Sequence, residues 1–255
     1  MTVDLKNKAV LVTGASTGIG AAAARAFAAQ GARVAVHYNA SHEAARAVVA
    51  DIEAAGGHAV AIGGDVTEAG VPARIVADAV AALGRLDVLV NNAGGLIRRT
   101  PVDEYTDEFV DQVLNLNVRQ VVAFVREAAR VMRQQGQGGN IINVTSIAAR
   151  NGGGPGSVIY AASKGFISTA TRGWARELVQ DRIRVNALSP GVIRTPFHDR
   201  VSSPELMTAM QATIPMQRIG EPDECAGTLL YLASDAMSGY ITGQIVEVNG
   251  GQLML

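Results

Sequence analysis

The segment Ala9-Val10-Leu11-Val12-Thr13-Gly14-Ala15-Ser16-Thr17-Gly18-Ile19-Gly20 decides the fold class. Its apolar, β-branched start predicts a buried strand over Ala9–Thr13, and the alanine-rich stretch Gly20–Gln30 predicts a helix. A glycine-rich turn therefore delivers a strand into a helix N-terminus, where free N–H groups and the helix dipole attract an anion such as a pyrophosphate. The spacing is G-x3-G-x-G rather than G-x-G-x-x-G, but the physical needs are alike. Gly14 makes a tight turn, Gly18 lets the backbone approach a ligand, and Gly20 lets helix and strand pack closely. A turn that merely packs is the alternative, disfavoured by its place in the first strand–helix unit of an alternating chain.

Outward from that unit the pattern repeats. Strands are expected at Arg33–Tyr38, His58–Ile62, Val88–Asn91, Asn140–Val144, Arg184–Leu188 and Gln244–Val248. Helices are expected at Ala44–Ala55, Pro72–Leu83, Val118–Gln134 and Ala161–Gln180. Near-continuous apolar strands alternating with helices read as an α/β, doubly wound parallel sheet covered on both faces. No linker, repeat or composition shift divides residues 1–255, so one domain is expected. Residues 189–215 carry Pro190, Pro196 and Pro204 with weak periodicity and read as a substrate lid.

Composition removes several classes of function. Lys+Arg of 22 against Asp+Glu of 23 gives a net charge of −1, which provides no basic field for nucleic acid. The only cysteine, Cys225, excludes an internal disulfide framework and suggests a small core residue in a reducing, cytoplasmic setting. His37, His42, His58 and His198 have no metal-ligand spacing, so no metal is expected. No signal-peptide core stands at the N-terminus, and no apolar run approaches the roughly 18 residues of a membrane span.

The second strand ends in His37-Tyr38-Asn39-Ala40-Ser41. A carboxylate there would accept bonds from the adenosine ribose of NAD, about 20 residues beyond the glycines. None is present, so a 2′-phosphate meets no repulsion at that strand end and NADP(H) is expected over NAD(H). Asn39 and Ser41 can donate to such a phosphate, although no Arg or Lys adjoins to neutralise it. Asp65, after the third strand, suits either the adenine amine or a cap for the Thr67–Leu83 region.

Lys6 and Lys8 lie in the N-terminal segment, which leaves Lys164 as the only interior lysine, four residues after Tyr160. One helical turn puts both on one face. A free phenol has a pKa near 10 and is a poor proton donor or acceptor at neutral pH, and a neighbouring ammonium is expected to lower it. Ser146 follows the fifth strand at the carboxyl edge of the sheet, where open α/β folds bind ligands, and its hydroxyl can hold a carbonyl oxygen beside the phenol. A turn cap is the alternative for Ser146.

In order and spacing, Thr13–Gly20, Asn91-Asn92-Ala93-Gly94, Asn117 within Leu-Asn-Leu-Asn-Val, Ser146, Tyr160-x3-Lys164 and Asn186-Ala-Leu-Ser-Pro-Gly191 resemble the short-chain dehydrogenase/reductases. The resemblance runs on through Gln244–Gly251 and so covers nearly the whole chain. It implies a Rossmann-type sheet of seven strands, a homotetramer, and reversible hydride transfer between NAD(P)(H) and a secondary alcohol or ketone. It further implies that Tyr160 is the acid/base, that Lys164 binds the nicotinamide ribose and lowers the tyrosine pKa, that Ser146 polarises the substrate oxygen, and that Asn117 holds a water leading from Lys164 to solvent. The coenzyme contacts it implies are Gly14, Ser16, Thr17, Gly18, Ile19, Gly20, Tyr38, Asn39, Ser41, Asp65, Val66, Asn91, Ala93, Gly94, Tyr160, Lys164, Pro190, Gly191, Val192, Ile193 and Thr195. One departure is that Ser146 precedes Tyr160 by one residue more than is common, which the Gly152–Gly156 loop can absorb.

For substrate, Arg98 and Arg99 follow the Asn-Asn-Ala-Gly turn and can hold a carboxylate bidentately, or form a solvated or subunit-facing pair. The stretch resembles sugar-acid members of the family, the gluconate and ketodeoxyuronate reductases. Other parts resemble 3-oxoacyl thioester reductases and glucose dehydrogenases. His198, in the expected lid, either reaches a substrate hydroxyl or is a surface histidine. A dinucleotide-binding regulator or a scaffold would use the same fold, but neither has a chemical reason to keep Ser146, Tyr160 and Lys164 together.

Overall fold

Three strands bury every residue: Ala9–Val12 (β1), Val88–Asn91 (β4) and Ile183–Pro190 (β6). Such strands need cover on both faces, and alternation of side chains sends β1 into two separate cores. In the computed structural model, which describes residues 3–254, Val10 and Val12 join a cluster with Phe27, Val48, Ile52 and Leu229. Ala9 and Leu11 join the opposite cluster with Ile75, Phe124, Ile167 and Leu178. Phe27 and Phe124 are each fully buried, and truncating either to alanine should cost about 3–5 kcal/mol.

The remaining strands are Arg33–Tyr38 (β2), His58–Gly63 (β3), Gly139–Val144 (β5) and Ile245–Val248 (β7). They complete one seven-stranded sheet in the order β3-β2-β1-β4-β5-β6-β7. Every adjacent pair is parallel. Helices Gly18–Ala29 (α1), His42–Ala54 (α2), Val71–Leu83 (α3), Asp107–Leu114 (α4), Gln120–Gln135 (α5), Ala148–Asn151 (α6) and Val158–Leu178 (α7) provide the first crossovers and their cover. Pro196–Val201 (α8), Pro204–Ala212 (α9), Pro222–Ala233 (α10) and Asp235–Ser238 (α11) follow β6. The chain order reverses between β1 and β4, which opens a crevice at the carboxyl ends of those strands. Among the described residues no helix is long and apolar enough to cross a membrane.

The doubly wound expectation holds, and the differences are local. Helix α4 was absent from the sequence reading because it is short and polar, although Thr106 caps it by accepting a bond from the Phe109 N–H. A π-helical turn, Asn115–Arg119, joins α4 to α5, so Asn117 lies inside a bulged helix rather than in the loop before one. The span 189–215 is not all lid. Ser189 and Pro190 belong to β6, Val192 packs with Ile214 and Ile219, and Ile193 bridges to Gly220. Beyond Thr195 the expected lid span forms α8 and α9, because Pro196 and Pro204 each sit at a helix start where the ring is tolerated. Met1, Thr2 and Leu255 of the expected single domain lie outside the described residues.

Candidate functional site

The glycine-rich turn is held from behind by polar contacts. The Thr13 hydroxyl accepts from the N–H groups of Asn92 and Ala93, both at 3.0 Å. The Asn92 amide donates to the carbonyls of Thr13 at 2.9 Å and Gly14 at 3.0 Å. Sequence reading passed over Thr13 and Asn92 as site formers, although both lie in the quoted motifs. A Cβ at Gly20 would meet the Gly14 carbonyl at 2.4 Å and the Asn92 amide at 2.5 Å, so this close approach needs glycine. Gly18 adopts φ +55°, and a Cβ there would meet Thr195 at 3.0 Å, which places the start of α8 against the turn. The N-cap residue of α1, Thr17, makes no side-chain cap bond, and no acidic residue occupies the first turn. That terminus, with Ser16, Ile19 and Gly20 around it, is open to an anion.

At the adenosine end the structure revises the sequence expectation. Asp65, from the turn after β3, interacts with Asn39 and accepts from Thr67 N at 2.9 Å and Thr67 Oγ1 at 2.7 Å. These bonds hold its carboxyl below the usual carboxylate range, so a negative charge stands beside the end of β2 although β2 itself carries none. Asp65 caps this turn rather than a helix, because α3 begins at Val71 with Gly70 as its N-cap. Ser41 makes no side-chain cap bond at α2. The Tyr38 ring lies over Gly63 and beside His42, with ring centroids 5.4 Å apart. Val66 is buried in the core below.

Asn91 does not line this surface with its side chain. It is buried in β4 and donates to Asn143 Oδ1 at 2.9 Å, and Asn143 donates onward to Thr171 at 2.9 Å. Gly94 lies in the crevice itself, since a Cβ there would meet Asn117 Oδ1 at 2.8 Å and Lys164 Nζ at 3.2 Å. Asn117 is fully buried and clasps the next residue, accepting from Gly95 N at 3.0 Å and donating to Gly95 O at 2.8 Å. Ala93 is tied to the π turn region by the Gln120 amide at 2.9 Å. On the other side, Ile147 N–H bonds to the Pro190 carbonyl at 2.9 Å and Gly191 N–H to the Val248 carbonyl at 2.9 Å, which fixes the exit of β6 beside Ser146.

Helix α7 starts at Val158, three residues earlier than expected, so Tyr160 is in its first turn and Lys164 one turn on. Lys164 is 4% exposed, donates from Nζ to the Val144 carbonyl at 2.9 Å, and is pulled down to about 8 by burial. Its Nζ stands 5.8 Å from the Tyr160 ring centroid. Burial raises the Tyr160 phenol above its ordinary value, while the adjacent Ser146 hydroxyl draws it down. The expected lowering by the ammonium is thus not seen: Lys164 points its charge at a backbone carbonyl rather than at the phenol oxygen. Ser146 Oγ also accepts from Ala148 N at 3.1 Å, so the hydroxyl combines the cap with the contact to tyrosine.

Helix α8 meets this set through Phe197, whose ring centroid is 6.0 Å from that of Tyr160. Sequence reading missed Phe197; its only signal was an aromatic residue within the lid span. Arg99 departs from the carboxylate-binding expectation: its Nε donates to the Val201 carbonyl at 2.9 Å and its Nη1 to the Pro155 carbonyl at 2.8 Å. It stitches α8 to the Gly152–Gly156 loop. Arg98 is exposed and lies over the Phe109 ring at 4.5 Å. His198 is partly buried in α8, contacts Ser202 at 3.1 Å, and is pushed down by burial and by Arg99. Cys225 is buried in α10 and its thiol is pushed up to about 12 by burial, as suits a core residue.

The chain matches the family model described as enoyl-(acyl carrier protein) reductase over residues 14–252. It is 39% identical to an L-rhamnose 1-dehydrogenase (NAD(P)(+)) from Sphingomonas sp. strain SKA58, across 97% of this chain and 96% of the relative. An NADH-dependent reductase responsible for alginate metabolism, A1-R′, superposes with a TM-score of 0.91 at 36% identity over 100% of both chains. A short chain dehydrogenase from Burkholderia cenocepacia J2315 in complex with NADP superposes with a TM-score of 0.89 at 37% identity, covering 97% of this chain and 98% of the other.

Proposed function

The chain belongs to the short-chain dehydrogenase/reductase family, and on that premise we propose that it transfers a hydride reversibly between NAD(P)(H) and a secondary alcohol or ketone of sugar-like structure, by a Ser146-Tyr160-Lys164 mechanism. One observation carries the reading: Tyr160 and Lys164 lie one turn apart at the carboxyl edge of the sheet, with Ser146 beside the phenol and the Lys164 ammonium beside Gly94.

The residues present fit the coenzyme. The uncapped start of α1 suits a pyrophosphate, and the side-chain-free surface at Gly94 leaves room for a ribose beside Lys164. NADP(H) is favoured over NAD(H), because β2 itself ends without a carboxylate and Asn39 and Ser41 can donate to a 2′-phosphate, while the Asp65 charge beside them tempers that preference. When bound, the nicotinamide supplies or accepts the hydride. Everything else falls to side chains of this protein. Ser146 donates to the substrate oxygen and orients it beside Tyr160. In reduction Tyr160 gives its proton to that oxygen as charge develops, and in oxidation the phenolate takes it back. Lys164, whose proton is easily released, binds the ribose hydroxyls, and Asn117 holds the Gly95 backbone beside it. Phe197 and His198 close over the site from α8.

A sugar or sugar acid is favoured by the likeness to the L-rhamnose dehydrogenase and to the reductase of alginate metabolism. The decisive assay follows reduced-nicotinamide absorbance for a panel of sugar acids, aldoses, polyols, 3-oxoacyl thioesters and small ketones with each coenzyme. Turnover of a sugar-like substrate supports the proposal. Activity confined to the thioesters replaces it with 3-oxoacyl thioester reduction, the alternative raised by the sequence resemblance. We also propose a homotetramer in the cytoplasm. Support comes from exposed apolar side chains on α5 (Val122), α7 (Phe166) and near the chain end (Met254), and from Cys225 as the only thiol. Sedimentation would test the assembly.

A further inference from the structure

His37 lies in the middle of the coenzyme-side machinery without belonging to the reacting set. It is 1% exposed, in β2, between the turn after β1 and the turn after β3. Its Nδ1 accepts the Gly14 N–H at 3.0 Å, and its Nε2 lies 3.0 Å from the Gly64 carbonyl. A carbonyl only accepts, so Nε2 carries the proton and Nδ1 is bare; the two contacts together fix one neutral tautomer. The His37 carbonyl also takes the Ala15 N–H at 2.7 Å, so one residue grips two successive N–H groups of the glycine-rich turn. Phe124 of α5 closes the ring in at 6.4 Å.

The groups that face the imidazole are few. Phe124 is uncharged. Arg74 of α3, which bonds the Gly63 carbonyl at 3.0 Å, opposes a second proton on the ring, and Asp65 beyond β3 favours one. Burial is the largest influence; together with Arg74 it outweighs the Gly64 carbonyl bond and Asp65, which both favour the proton, and holds the imidazole below its ordinary value.

We propose that His37 is a positioning residue for the coenzyme: its neutral ring orients the Gly14 peptide, and so the shape of the glycine-rich turn that receives the pyrophosphate. A proton on Nδ1 would set a donor against the Gly14 N–H, and the buried peptide would lose its partner. The turn would then shift, and coenzyme affinity would fall. This rests on the coenzyme reading of the turn given above, and the experiment separates the two.

Calorimetric titration of NADP+ into the wild-type protein, His37→Asn and His37→Leu, from about pH 8 to about pH 5, is the test. Asparagine keeps an acceptor close to Nδ1 and cannot take up a proton. Wild-type affinity should fall by roughly tenfold more than that of His37→Asn as the pH drops, while the two agree at the alkaline end. Their difference cancels the ionisation of the 2′-phosphate itself. His37→Leu should bind several-fold more weakly than wild type at the alkaline end and share the shallow pH profile of His37→Asn. Parallel pH profiles for wild type and His37→Asn, or a His37→Leu protein that binds like wild type at about pH 8, would overturn the inference. Should the variants not fold, nitrogen NMR of the wild-type ring decides: an Nδ1–H tautomer at neutral pH refutes the assignment and an Nε2–H tautomer supports it. Failure of all three folded proteins to bind NADP+ or NAD+ at about pH 8 would instead remove the coenzyme reading.

Discussion

Replacing Lys164 by methionine removes a buried ammonium and keeps a flexible stem of similar length. Lys164 is 4% exposed, and burial takes its pKa from 10.5 to about 8. At about 1.4 kcal/mol per unit, that displacement is a preference of about 3 kcal/mol for the uncharged form in the folded protein. The sign follows from proton linkage. Between about pH 8 and about 10.5 the unfolded chain keeps a proton that the folded chain has released, so wild-type stability rises with pH across that window, and none of the gain is present below it. Other groups titrate there too, so the informative quantity is the wild-type stability minus that of Lys164→Met, from urea unfolding at matched pH. Near neutrality two effects oppose each other. The variant escapes the buried charge but loses a charge-assisted bond to the Val144 carbonyl, about 1.5–3 kcal/mol, so the difference should be small. By about pH 10 it should favour wild type by about 2–3 kcal/mol more. A difference that stays flat from neutral pH to about 10 would mean that Lys164 is solvated and its ammonium ordinary. In the same samples turnover should collapse at every pH, since the residue proposed to hold the ribose is gone.

Tyr160→Phe keeps the ring against Phe197 and removes the transferable proton, so it should bind coenzyme normally and lose about 10²–10⁴-fold in kcat; near wild-type turnover would dismiss the acid/base assignment. Arg99→Ala breaks the bonds to Val201 and Pro155 and should raise KM several-fold for acidic and neutral substrates alike, with faster proteolysis in α8; a loss confined to acidic substrates would restore the carboxylate-binding role. Asp65→Asn removes a charge beside Asn39 and should raise the NADPH-to-NADH ratio of kcat/KM by about fivefold, on the order of 1 kcal/mol for a partly exposed charge; an unchanged ratio would place the 2′-phosphate elsewhere.

Local chemistry was enough to read the strand–turn–helix at Ala9–Ala29, the alternation that demands a two-faced parallel sheet, and the Tyr160/Lys164 pair, because each depends on residues a few positions apart. Helix periodicity puts positions four apart on one face wherever the helix is placed. What the sequence could not supply was the company these residues keep across the sheet. Asp65 reaches Asn39 because β3 lies beside β2. Arg99 reaches Val201 across 102 positions, which commits an apparent substrate ligand to the end of α8. Asn91 faces Asn143 because β4 pairs with β5 in register, and Lys164 spends its ammonium on the Val144 carbonyl because α7 packs beneath that strand end. Such partners are chosen by strand order and helix packing. Direction and desolvation of a side chain, and with them its pKa and its availability to a ligand, are properties of that three-dimensional neighbourhood, whereas the identity and local spacing of the reacting groups belong to the chain itself.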